Sequence, residues 1–130
     1  MRTESFSDEL RGEVAPLWER IFTHPFLVEM GAVKLPLDKF RFYVKQDYPF
    51  LTEFARCLGI AAAKAGERET MHTFSSLLNA SLTVEVEMLE SLGEKLGISP
   101  SELRSSEPAP TNMAYTRHLL YVAYSGTIGE

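Results

Sequence analysis

Residues 37–65 read LDKFRFYVKQDYPFLTEFARCLGIAAAKA, and their apolar members recur with the period of an α-helix. Phe40, Tyr43, Val44, Phe50, Leu51, Phe54, Cys57, Leu58 and Ala61 keep the i, i+3, i+4, i+7 spacing of one buried face. Asp47 interrupts that face, four residues after Tyr43 and three before Phe50. A carboxylate on the core side of a helix is costly unless it is paired or hydrogen-bonded. Either the fold supplies Asp47 with a partner, or the side chain faces a cavity that does chemistry.

The other helices follow from the same period. Ser5 or Ser7 can cap a first helix running to about Phe22, with Asp8 and Glu9 in its first turn and Leu10, Val14, Leu17, Trp18, Ile21 and Phe22 on its apolar face. Pro16 should bend that helix or start it late. His24-Pro25 punctuates the chain, with His24 fixing a turn, and a short helix over Phe26–Met30 ends near Gly31. Pro36 suits the start of the long helix, and Pro49 inside it should kink it one turn after Asp47. A third helix is expected from about Glu67 to Leu96, with a stripe of Met71, Phe74, Leu77, Leu78, Leu82, Met88, Leu89, Leu92 and Leu96. Glu85 falls in that row, whereas Glu87 and Glu90 lie off it and read as solvated. Gly97 is a stop signal. After a loop in which Ser99 or Ser101 can cap a turn through Glu102 and Leu103, Thr111 or Asn112 can cap a fourth helix with Tyr115, Leu119, Val122 and Tyr121 on its face, stopping at Ser125-Gly126 or running to the chain end. No segment alternates as a strand would. The reading is a single all-α domain over residues 1–130, with antiparallel neighbours.

Composition narrows the function. A net charge of −5 without a cluster of basic residues argues against nucleic acid as a partner. One cysteine in 130 residues forbids an intrachain disulfide and fits a cytoplasmic setting. The polar opening MRTESFSDELRGE has no apolar signal core, and the run Cys57–Ala63 is too short to span a bilayer, so no membrane is expected.

Asp47, Glu85 and Tyr115 each occupy an apolar row of a different helix. They can converge on one polar pocket inside a bundle, or bond to one another and to backbone. A buried carboxyl is suited to acid–base work or to gripping an aminopyrimidine-like ligand. A di-iron site would need Glu-x-x-His pairs, but Met88 and Leu89 follow Glu85, and Phe50 and Leu51 follow Asp47. No metal is expected. Cys57, on the stripe, reads as inert packing.

His24-Pro25-Phe26, Leu35-Pro36, the helix FRFYVKQDYPFLTEFARCLGIAAAKA, the Glu85 helix with EKLGIS, and APTNMAYTRHLLYVAYSGTIGE together resemble the TenA (thiaminase II) family over nearly the whole chain. The resemblance implies a haem oxygenase-like helical bundle without haem or other cofactor. It also implies hydrolysis of thiamin or an aminopyrimidine to hydroxymethylpyrimidine, and a homo-oligomer, often a tetramer. It assigns Asp47 to the pyrimidine ring and its amino group, Tyr115 to the active-site cavity, and Glu85 to a recurrent glutamate, with Asp47, Glu85 and Tyr115 as the catalytic set. Phe50 stands where the family often has tyrosine, keeping the aromatic surface for substrate and losing the hydroxyl. The family's nucleophilic cysteine is expected downstream of the helix that ends here at Glu130, so the bundle should lack its C-terminal helices and Cys57 does not match the nucleophile. The alternative is a non-catalytic pyrimidine-binding or assembly protein on the same fold.

Overall fold

The computed structural model describes residues 5–130; residues 1–4, the start of the polar opening, lie outside the described residues. They form helices and connecting turns, with no strand among them. The described chain divides into two compact units, one ending at Leu37 and one beginning at Asp38.

In the first unit Ser5 opens α1 (Phe6–Glu13) with a reciprocal cap. The Asp8 amide donates to Ser5 Oγ at 3.3 Å, and the Ser5 amide donates to Asp8 Oδ2 at 3.1 Å. The expected single helix to Phe22 is instead two. The chain breaks at Val14 and restarts as α2 (Ala15–Phe22), because Pro16 is tolerated in a first turn but not in a helix interior. His24 then caps α3 (Pro25–Gly31), its Nδ1 accepting from the Phe26 amide at 3.1 Å. The apolar face expected for the first helix is exposed throughout: Leu10, Val14, Leu17, Trp18, Ile21 and Phe22 all lie open. Trp18 and Phe22 stack on each other at 5.6 Å, with the Arg11 guanidinium over the indole.

The second unit is organised by α4 (Leu37–Lys64), which stays helical through Pro49. Pro49 has no N–H, so the Lys45 carbonyl has no intrahelical donor four residues on. Val44 and Leu51 of α4 bury themselves with Leu89, Ile98 and Leu103, flanked by Phe40, Tyr48, Phe50, Val86 and Leu96. Small residues take over higher up, where Ala55, Ala62 and Ala65 are buried with Leu58. A Cβ on Gly59 would sit 3.7 Å from Leu78. Polar ties run along the same helix. Arg41 donates to the Leu96 carbonyl through both Nε and Nη2, and Lys45 pairs with Glu102. Lys64 Nζ donates to the carbonyls of Ala123, Tyr124 and Gly126.

The third predicted helix is α5 (Arg68–Ala80) and α6 (Val86–Lys95) joined by a π turn over Ser81–Glu85. Thr83, Val84 and Val86 are stiff β-branched residues, and Thr83 Oγ1 donates back to the Asn79 carbonyl at 2.7 Å. The stripe therefore does not lie on one face. Leu89 and Gly93 are buried, whereas Met71, Leu77, Leu82, Met88 and Leu92 are exposed. Glu90, read as solvated, pairs with Arg104 at 2.9 Å. Gly97 takes φ +73, a left-handed turn that favours glycine. The capped turn is α7 (Pro100–Arg104), with Ser99 Oγ accepting from the Glu102 amide at 3.2 Å.

The last helix, α8 (Pro110–Ser125), begins earlier than expected. Ala109 is its N-cap, and neither Thr111 nor Asn112 caps it. Asn112 is instead spent on a tertiary bond to α4. Tyr121, expected on the buried face, is 69% exposed. The helix ends at Ser125, held there by the Lys64 ammonium.

Candidate active site

Helical spacing puts Tyr43, Gln46, Asp47 and Phe50 on one side of α4. The first turns of α8 bring Asn112 and Tyr115 to meet them. These six residues line a cleft of about 260 Å³. The Phe50 and Tyr115 rings are nearly parallel, their centroids 5.9 Å apart and their planes 4° from parallel, and Phe54 also stacks on Phe50 at 5.6 Å.

Asp47 also lines a second cleft of about 560 Å³, with Leu51, Glu85, Met88, Leu89 and Leu92. The three residues expected in one pocket are thus distributed over two clefts with Asp47 in both. Glu85 joins Asp47 in the larger, and Tyr115 joins it in the smaller. Both volumes are of the order of small-molecule sites.

Asp47 is half-buried. Burial, and after it the charge of Glu85, pushes its carboxyl above the usual carboxylate range, with no hydrogen bond from the described residues to offset the shift. Its charge in turn adds to burial in raising the Tyr43 phenol. Glu85 is exposed rather than on a buried row, because the π turn rotates it out of the core. Its orientation is nonetheless fixed: Ser81, 2% exposed, donates its hydroxyl to Glu85 Oε2 at 2.8 Å. Tyr115 is 53% exposed, presenting one face to Phe50.

Cys57 lies elsewhere, in a cleft of about 340 Å³ that also includes Phe54, Phe74 and His118. Burial, then the charge of Glu53, raises its thiol, the opposite of what a thiolate nucleophile requires. Among the described residues no group of three or more His, Cys, Asp or Glu side chains is placed to hold a metal ion. No helix among them is long and apolar enough to cross a membrane.

Three polar residues at the site escape the hydrophobic pattern. Gln46 was legible only as the neighbour of Asp47, and Asn112 read as a cap. Ser81 was invisible because its role depends on the π turn. Its only sequence signal is the i, i+4 spacing to Glu85.

The fold and the site define a class: a protein whose described residues are helical, with a half-buried acid, unpaired among them, between an aromatic wall and a second carboxylate. Residues 11–130 match the TENA/THI-4/PQQC family, and the chain belongs to it. It is 40% identical over 124 residues to an aminopyrimidine aminohydrolase of Halalkalibacterium halodurans, covering 95% of this chain and 55% of that one. It is 35% identical over 125 residues to the Bacillus subtilis protein of the same description, covering 96% and 53%. Its fold is similar to that of a TenA homologue from P. horikoshii OT3, with a TM-score of 0.90 and 37% identity over 94% of this chain and 57% of that one. The chain spans a little over half the length of these relatives.

Proposed function

We propose that this chain carries the pyrimidine-gripping part of an aminopyrimidine hydrolase of the thiaminase II type. The observation that carries the reading is Asp47: a half-buried carboxyl, free of hydrogen bonds from the described residues and with raised proton affinity, beside a flat aromatic wall. An aminopyrimidine presents a ring nitrogen and an amino group side by side, which suits two parallel hydrogen bonds to one carboxyl group. Phe50 and Tyr115 supply the surface on which the ring lies. In the hydrolysis the C–N bond at the exocyclic methylene breaks, the oxygen of water bonds to that carbon, and the leaving nitrogen takes up a proton. Glu85 and Tyr115 complete the proposed catalytic set with Asp47. Relatives described as aminopyrimidine aminohydrolases support the substrate class.

The proposed setting is the cytoplasm, supported by a single cysteine. A homo-oligomer is proposed as well, as the resemblance to the TenA family implies.

The test is incubation with thiamin and with the aminomethyl form of the pyrimidine, following release of hydroxymethylpyrimidine, alongside calorimetric binding of the pyrimidine. Asp47→Ala is expected to abolish binding and leave helix content intact. Undiminished binding would make Asp47 structural, and binding without turnover would favour a non-catalytic pyrimidine-binding role.

A further inference from the structure

The amide side chain of Gln46 is engaged at both ends. Its Nε2 donates to the Glu107 carbonyl at 3.0 Å, and its Oε1 accepts from the Ala109 amide at 2.7 Å and from Asn112 Nδ2 at 3.1 Å. Asn112 Nδ2 also reaches the Gln46 carbonyl at 2.8 Å, a second bond to an oxygen inside α4. Both side chains are half-buried, so water competes weakly for these bonds. They fall where α8 has no cap of its own: Ala109 offers no side-chain cap and Pro110 has no N–H to place. The start of α8 is therefore fastened from outside, by the residue preceding Asp47.

One turn further along each helix stand the two rings of the cleft. Phe50 follows Gln46 by four residues and Tyr115 follows Asn112 by three, so the polar pair and the aromatic pair are successive rungs between the same two helices. Among the described residues, the ring contact that holds Tyr115 beside Asp47 is its stack on Phe50. We propose that Gln46 and Asn112 are a positioning pair, fixing the register of α8 against α4 and so holding Tyr115 parallel to Phe50 in the wall against which an aminopyrimidine lies. The ligand in this statement rests on the function proposed above; the register does not.

Solution NMR of the whole chain tests the register directly. Tyr115 ring protons, assigned through their loss in Tyr115→Phe, should carry the ring-current shift of the parallel Phe50. Gln46→Met keeps the side-chain length and removes the bonds, while Asn112→Ala leaves the bonds of Gln46 to Glu107 and Ala109 in place and so safeguards folding. Each is expected to collapse the Tyr115 shift and weaken aminomethylpyrimidine binding about tenfold, with the double variant no worse than the poorer single one. Unchanged Tyr115 shifts in both single variants would overturn the proposal. So would a lost shift with unaltered affinity. A wild-type chain that binds no pyrimidine would tell against the proposed function, and the ring shifts alone would then decide the positioning pair.

Discussion

Asp47 of α4 and Glu85 of the π turn line one cleft, and among the described residues only Glu85 has a hydrogen-bond partner, the hydroxyl of Ser81. This asymmetry makes the pair unequal: one carboxylate is held and exposed, the other unheld and half-buried. Dyads in which environments differ in this way are suited to dividing binding and proton transfer between two acids.

The raised proton affinity of Asp47 has a cost for folding that pH reveals. A carboxyl whose folded-state pKa lies above its unfolded value favours the fold while protonated, and that contribution is lost as pH rises through the folded-state value. Asp47→Asn cannot ionise, so it is expected to melt at a higher temperature than wild type at neutral pH. The difference should shrink away below the ordinary carboxyl value of 3.8. Thermal unfolding followed by circular dichroism across this range decides it. A Tm gap independent of pH would mean that Asp47 ionisation does not weigh on the fold.

Gly93 should not tolerate a side chain. A Cβ there would lie 2.8 Å from Leu103 Cδ1 and 3.5 Å from the Ile98 carbonyl, and Leu103 is wholly buried. Gly93→Ala is expected to cost about 1–3 kcal/mol by overpacking. Gly12→Ala, with nothing within 4 Å, is the contrast. It should stabilise by roughly 0.5–1 kcal/mol through helix propensity. Urea denaturation of the two variants measures both signs.

Removing the Ser81 hydroxyl should release Glu85. Ser81→Ala is expected to cost about 1 kcal/mol for the lost bond. In a Glu85→Ala background the same change should cost less, because its partner is already gone. A double-mutant cycle in chemical denaturation reads the coupling, and strict additivity would show that the bond contributes nothing.

The far end of α8 depends on a residue of α4. Lys64→Met keeps the apolar stem and removes the ammonium from the carbonyls of Ala123, Tyr124 and Gly126. Amide exchange in the last turn of α8 should quicken several-fold, while the first turn, held at Gln46, is unaffected. Equal exchange at both ends would refute this division.

Helical period and cap chemistry were enough to locate α4, the His24 turn and the Gly97 stop, and to narrow two caps to Ser5 or Ser7 and to Ser99 or Ser101, because those signals are local; Ser5 and Ser99 are the ones used. Pattern failed where a tertiary partner outranked a local preference. Asn112 has the chemistry of a cap and is used as a tie to Gln46. The row from Met71 to Leu96 has the spacing of one face, but the π turn divides it. Asp47 was conspicuous as an acid in an apolar stripe; its membership of two clefts depends on which side chains of α6 and α8 arrive beside it, which no single-helix pattern encodes.

The π turn also has a consequence for length. A wide turn holds one residue more than the regular helix joining the same end points, so the rod from Arg68 to Lys95 contains a spare link. Taking out one link between Ser81 and Glu85 would leave the composition and helicity nearly untouched. The turn would close to the regular helix between the same end points, leaving Leu89 on the core while re-aiming the residues of the turn, Glu85 among them, relative to Asp47. The site is thus set by a count of residues as much as by their kind.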